Sequence, residues 1–395
     1  MLDLGAYLSE LRSLVLEQIR AIIPRDHRLG PVLYDLMLDY PLRAAKGLRP
    51  ALCVATCCAL GGSLRAALRS SAVLELYHNA FLIHDDVEDG SDLRRDGPTL
   101  HEIRGVPVAV NVGDAMLALA MEPLLDNVRD LGVGKALRIM QVIARMARES
   151  AEGQAMELDW IARRRRDVGE VDYVRMVHKK SGWYTFVAPM LIGAIVAGVL
   201  PGELHRIGRI AVPLGVAFQI QDDLLNLVGD PGRTGKRRWS DLWEGKYTLM
   251  LLHVLRAAPP DDRRRIERVL SGRGARGPSS SPAVDTGGRD RIRLLVRAEE
   301  QGGAIGGELA DALVALLAGE PGGRGGLDEG PDEEGAEFIL HTMERVGSID
   351  RARRIAGRHA SRASRALAAY APLRGTSDHH LFLEEIMKYV VSRPE

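Results

Sequence analysis

Residues 66–89, AALRSSAVLELYHNAFLIHDDVED, decide the fold. Their apolar positions recur at steps of three and four, the stripe of an α-helix, and the stripe runs directly into acidic residues. Asp85 and Asp89 stand four apart, so a helix projects both carboxylates from one face, with Asp86 beside them. The same period recurs at Leu4, Leu8, Leu11, Val15 and Ile19, and in residues 31–40, 111–130, 135–163, 171–186 and 204–228. No stretch shows sustained period-two alternation bounded by hairpin turns. The pattern predicts an all-α protein, a large helical bundle.

Composition narrows the function. The 395 residues are 46% apolar, and acids and bases balance at 53 each, so an anion site must be local rather than a general polyanion surface. Aromatics make up only 5%, which argues against a base-stacking surface and against nucleic acid as a partner. Cys53, Cys57 and Cys58 cluster in one apolar stretch; three thiols there read as buried core residues in a reducing cytoplasm, not as a disulfide framework. The N-terminus lacks a signal-peptide pattern. Residues 186–200 form the most apolar run, but they are short for a bilayer and contain Pro189, Gly193 and Gly198, so a buried core helix is expected and no transmembrane segment. Residues 271–289 and 319–335 are rich in Gly, Pro, Ser and charge, with a short helical stretch at 306–317 between them. The expected organisation is a single domain over 1–395 with a flexible insertion at about 259–334, and with two helices after it completing the bundle.

The chemistry sits in two acidic constellations. In HDDVEDGSDLRR, Asp85, Asp86 and Asp89 precede Arg94 and Arg95, whose guanidinium forks suit phosphate oxygens. Carboxylates and water suit magnesium, so acids next to arginines suggest a metal-bridged polyphosphate. Spacing alone also fits a solvated, salt-bridged helix end. In FQIQDDLLNLVGD, Asp222 and Asn226 are again four apart with Asp223 between them, after a strongly apolar run where an unpartnered charge is costly. Two such motifs in one bundle suggest facing helices around a metal cluster. Bases surround them in sequence: Lys46 and Arg49, Lys179 and Lys180, Lys236 and Lys246.

In order along the chain stand KGLRP, HNAFLIHDDVEDGSDLRRDGPTLH, GQAME, KKSG, FQIQDDLLNLVGD, GKRRWSDLWEGK and GSIDRARR. With these motifs the sequence resembles the trans-isoprenyl diphosphate synthases, most of all the geranylgeranyl diphosphate synthases, over about 33–257 and again over 338–393. The resemblance implies the isoprenoid-synthase bundle with a central cavity, a homodimer, and a prenyltransferase that joins isopentenyl diphosphate to dimethylallyl, geranyl or farnesyl diphosphate. It implies three magnesium ions per site, with Asp85, Asp89 and Asp222 as metal ligands and Asp86 and Asp223 in support. Lys46, Arg49, His78 and Arg95 match the isopentenyl diphosphate site. Arg94, Lys180, Gln219, Lys236 and Lys246 match residues that grip the allylic diphosphate. Ser181 stands where a threonine is usual, and Gln154 lies near the allylic carbons.

Two departures stand out. Asn226 replaces an acid, and Glu157 replaces the more usual Asp. One helical turn before Asp85, bulky Phe81 would floor the product pocket, while small Ala80 would leave room; ordinary core packing explains Phe81 equally well. The pair favours a twenty-carbon product, with a fifteen-carbon product second. A class I terpene cyclase is disfavoured because DDLLN lacks the cyclase Asn/Ser/Glu triad, and a non-catalytic synthase subunit because both acidic motifs are present.

Overall fold

Helix α1 (Leu4–Ile22) starts where the Asp3 carboxylate accepts a hydrogen bond from the Ala6 N–H at 3.0 Å, and it buries Leu8, Leu11, Val15 and Ile19. This is the face read from the sequence. In this computed structural model residues 2–95, 97–165, 167–229, 239–271 and 333–392 are described. Among them the only strands are β1 (Leu93–Arg94) and β2 (Gly97–Pro98), a two-residue antiparallel hairpin.

Residues 31–40 do not form one helix. They make 3-10 turns at Gly30–Val32 and Leu36–Leu38, followed by the four-residue α2 (Asp39–Leu42). Helix α3 (Leu48–Ala59) carries Cys53, Cys57 and Cys58, all free. The 26-residue α4 (Leu64–Asp89) is capped by Ser63 and stops at Gly90, whose φ of 62° is left-handed. It spans about 39 Å and packs on α1 and α3, with Val73, Leu76, Ala80 and Ile83 in the core.

After α5 (Leu100–Arg104) come α6 (Val106–Leu119), α7 (Met121–Leu131) and the long α8 (Val133–Arg163). Residues Val106–Leu131 are apolar and long enough to cross a membrane by composition, a stretch the sequence reading undervalued. One side of it, including Val112, Met116 and Leu124, is in the core, while Val106, Val110, Leu125 and Val128 are exposed. Helix α9 (Glu170–Val177) runs into a π-helical segment (His178–Val187) and then α10 (Ala188–Ala197). Helix α10 is the expected buried apolar helix. It meets α3 closely at Gly193, where a Cβ would lie 2.3 Å from the Cys53 carbonyl oxygen.

Helix α11 (Leu204–Val228) carries the second acidic motif. Beyond it lie α12 (Ser240–Trp243), α13 (Leu249–Ala257) and α14 (Pro260–Ser271). The chain resumes in α15 (Glu333–Arg345), α16 (Ser348–Ala369) and α17 (Asp378–Ser392), so three helices rather than two complete the bundle. Ile266 of α14 and Ile339 of α15 are fully buried in a second core with Trp160, Ile220 and Leu252. Both ends of the expected insertion are therefore core helices. Residues 272–332, with the Gly- and Pro-rich stretches and the expected helix at 306–317, lie outside the described residues.

Candidate active site

The end of α4 presents Asp85 and Asp89 to lysines from two other elements. The Lys180 ammonium of the π-helical segment lies 3.3 Å from an Asp85 carboxylate oxygen, and it also donates to Glu157 of α8 at 2.5 Å. Lys246, which follows α12, donates to Asp89 at 2.8 Å and pairs with Glu244. Burial opposes ionisation of Asp85, but Lys180, Lys246 and Arg94 hold its carboxyl below the usual range. Burial, helped by Asp85 and Glu244, lifts Asp89 to about 6 against the pull of the two lysines. Burial also works against charge on Lys180, yet Asp85 and Glu157 outweigh it and keep the ammonium protonated. The acids and lysines of this cluster thus neutralise one another in a largely dehydrated place.

Asp86 points elsewhere. It is fully buried and accepts from the Tyr40 hydroxyl at 2.5 Å and from Arg94 Nε at 2.8 Å. Tyr40 in turn accepts from the Leu100 N–H at 3.1 Å. Asp86 and the guanidinium of Arg94 therefore tie α4 to α2 and to the hairpin. Asp85 and Asp89 are left on the open face.

Three cationic or polar groups converge nearby. Arg49 and Arg95 both donate to His78 Nε2, at 3.1 and 3.3 Å. Burial and the two arginines push His78 well below its ordinary pKa, so the ring is neutral and accepts at Nε2. No carboxylate bonds to Arg49 or Arg95 among the described residues. Arg49 Nε and His78 Nδ1 are buried without a hydrogen-bond partner. Arg95 holds a left-handed φ of 51°, a costly conformation for an arginine. Lys46, exposed, donates to the Tyr389 hydroxyl of α17. The arrangement gathers cationic N–H donors that no carboxylate neutralises among the described residues.

Tyr184, which the sequence reading passed over, joins the two halves. Its ring stacks on His78 at 5.8 Å, lies under the Arg49 guanidinium at 4.6 Å and meets Phe81 edge-on at 5.8 Å. Phe81 also meets Tyr77 edge-on at 5.9 Å. Ala80, by contrast, is completely buried in the core. Its surroundings, HKKSGWYTFV, carry no spacing that tells which ring will meet His78 and Arg49, so Tyr184 was not legible.

The second motif divides in the same way as the first. Asp222 is exposed, whereas Asp223 is buried and accepts from Tyr173 at 2.5 Å and from Gln219 at 2.8 Å. Burial, with Asp241 and Asp222 close by, raises Asp223 to about 8. Asn226 donates to Ser240 at 2.7 Å and accepts from the Asp241 N–H at 3.1 Å, so this departure from an acid caps α12. Gln154 donates to Glu88 at 2.6 Å, and Ser181 is buried. Lys179 turns away to Glu149 and Glu152. Lys236 lies outside the described residues.

The donor set suits a hard cation. Asp85 and Asp89 offer only oxygen, and magnesium takes one or two carboxylates and completes its shell with water and phosphate. No three acidic, histidine or cysteine side chains already form a cage among the described residues. Lysine ammonium groups stand on the two carboxylates instead.

Residues 31–281 match the sequence profile of the Polyprenyl synthetase family. The chain is 30% identical over 269 residues to a short chain isoprenyl diphosphate synthase of Methanocaldococcus jannaschii, covering 68% of this chain and 79% of that protein. It is 30% identical to the geranylgeranyl diphosphate synthase of Sulfolobus acidocaldarius, covering 68% and 80%. The crystal structure of geranylgeranyl pyrophosphate synthetase from Pyrococcus horikoshii superposes with a TM-score of 0.76 at 26% identity, covering 99% of this chain and 98% of that one.

Gly153 of α8 lies against the π-helical segment: a Cβ there would be 2.2 Å from the Lys180 backbone nitrogen and 2.6 Å from its Cα. Gly153→Ala must push Lys180 off its carboxylates. Because a displacement of about 1 Å can cost on the order of a hundredfold in rate, steady-state turnover should fall at least tenfold. Circular dichroism should show the helices retained.

Proposed function

This chain belongs to the polyprenyl synthetase family and is a trans-prenyltransferase, and from that premise we propose that it elongates an allylic diphosphate with isopentenyl diphosphate, yielding geranylgeranyl diphosphate. The observation that carries this reading is the pairing of two sites: an acidic cluster held by Lys180 and Lys246, and beside it the Arg49–His78–Arg95 group bridged by Tyr184. Two diphosphates need two such sites.

Asp85, Asp89 and Asp222 would hold magnesium, three ions per site in our reading. Bound magnesium supplies neutralisation of the allylic diphosphate, which makes it a leaving group. Lys180 and Lys246 stay protonated and face the charge that builds on the departing oxygen. Arg49, Arg95 and Lys46 bind the second diphosphate. Gln219 acts through Asp223, and Gln154 through Glu88. The allylic carbon–oxygen bond breaks with its electron pair leaving on diphosphate. The double bond of isopentenyl diphosphate then forms the new carbon–carbon bond, and the proton lost passes to the departing diphosphate. Phe81, Tyr77 and Tyr184 exclude water and turn ring faces and edges to the apolar chain.

A fifteen-carbon product is the second reading. The observation behind it is the wedge of Phe81 between Tyr77 and Tyr184 just above Asp85. The free thiols Cys53, Cys57 and Cys58 fit a cytoplasmic setting. A second copy of the chain would cover the exposed apolar face of Val106, Val110, Leu125, Val128, Val133 and Leu137, giving a homodimer.

Purified protein with magnesium, isopentenyl diphosphate and each allylic primer should give prenyl diphosphates, identified by chromatography after dephosphorylation. Hydrocarbon release without consumption of isopentenyl diphosphate would sink the proposal. Asp85→Ala should lower turnover by a factor on the order of a thousand, since it removes charge stabilisation at the reacting centre. Phe81→Ala should lengthen the product by at least one five-carbon unit; an unchanged product means Phe81 is not the floor. Leu125→Asp should halve the mass measured by light scattering, and an unchanged mass places the subunit contact on another face.

A further inference from the structure

Helix α16 carries a set of arginines that the prenyl-transfer site does not use. From Arg351 to Arg374 the chain has seven arginines and no aspartate or glutamate, in a protein whose total charge is balanced. Two of the seven are accounted for: Arg351 binds Glu170 at 2.7 Å, and Arg353 lies 3.6 Å from Asp350. Arg354, Arg358, Arg362 and Arg365 are exposed, and among the described residues none of them meets a carboxylate.

Their spacing puts them on one side. At about 100° per residue, positions 354, 358, 362 and 365 fall at about 0°, 40°, 80° and 20° around the helix. Ala352, Ala356, Ala363 and Leu367 fall opposite them and are buried, packed toward α11 and the core. The four arginines thus form a straight ridge about 16 Å long. Among the described residues of α16, the exposed neighbours Ser361, Ser364, Ala368 and Ala369 are too short to overtop the guanidinium groups. Like charges at this density repel one another, and an anionic partner relieves that cost.

We propose that this ridge docks the enzyme on the anionic surface of a lipid bilayer. Charge complementarity selects an anion, and a straight ridge of four arginines matches a planar array of phosphates, each of which a guanidinium can grip with two N–H groups. Single-stranded nucleic acid calls for aromatic stacking platforms, and α16 contains no Phe, Tyr or Trp. The use of such docking, release of a long-chain diphosphate at a membrane, rests on the prenyl-product reading. The docking itself does not.

The test is co-sedimentation of the full chain, without substrates, with vesicles of phosphatidylcholine alone or mixed with phosphatidylglycerol, at physiological ionic strength. The wild type should bind only the mixed vesicles, and added salt should release it. Each arginine near an anionic surface contributes roughly fivefold, so R354Q/R358Q/R362Q/R365Q should lose on the order of several hundredfold in partitioning. Its prenyl transfer in solution should be unchanged, which shows it is folded. The matching quadruple lysine variant should keep most of the binding. The proposal is overturned if the wild type ignores the mixed vesicles, if it binds neutral vesicles equally, if the glutamine variant binds as well as wild type, or if duplex DNA binds more tightly than vesicles do. Because no substrate is present, failure of the prenyl-transfer reading would leave this readout untouched.

Discussion

Everything at the centre of this bundle depends on holding Asp85 and Asp89 side by side, half-buried, at the end of α4. Two carboxylates one helical turn apart repel, and taking them out of water adds a large desolvation cost. The protein meets that cost with two lysines brought from distant parts of the chain, Lys180 from the π-helical segment and Lys246 from beyond α12. Each lysine also has its own glutamate, Glu157 and Glu244. The cluster therefore fixes where α4, α8, the π-helical segment and α12 must sit relative to one another. Local features follow from this. Gly153 must be glycine because the backbone of Lys180 passes against it. The widened π-helical turn changes the direction of the side chains after Val177, and Lys180 and Tyr184 both lie within it.

The two acidic motifs divide their labour in parallel. In each, one acid faces outward and its neighbour faces in to a tyrosine: Asp86 to Tyr40 and Asp223 to Tyr173. The inner acids act as anchors. They hold the helix ends so that Asp85, Asp89 and Asp222 keep their direction. Asn226 extends this logic, since its amide uses both its donor and its acceptor to seat Ser240 and Asp241. A carboxylate there would lack the donor that Ser240 receives.

The helical period and the spacing of the acids were legible in the sequence because both are local. A stripe at steps of three and four needs no knowledge of the rest of the chain, and α1, α4 and α11 lie where it places them. The family order of the bases was legible too, although Lys246 could be tied to Asp89 only by the fold. What escaped the reading was set by tertiary packing. Residues 31–40, whose apolar period looked helical, form short 3-10 turns and the four-residue α2 instead. Asp85 and Asp86 look alike in sequence, and only the position of Tyr40 sends one inward. The apolar surface of α6 and α7 hid behind polar interruptions such as Asn111 and Asp114, and residues 186–200 drew attention because they are apolar throughout. Tyr184 gave no signal at all, since its importance comes from partners far from it along the chain, Arg49 on α3 and His78 and Phe81 on α4.

The lysine–carboxylate links have a further consequence for how the cavity exchanges its contents. It behaves as an ion-exchange resin loaded with its own counter-ions. A carboxylate that gives up its ammonium must take another cation in the same move, and an ammonium that gives up its carboxylate must take another anion. Either exchange alone strips a buried charge, whereas both together amount to a metathesis in which every charge stays compensated. Charge compensation of this kind favours a cation and an anion arriving together over either alone. Selectivity of this kind comes from the stoichiometry of charge and requires no shape complementarity to the ligand.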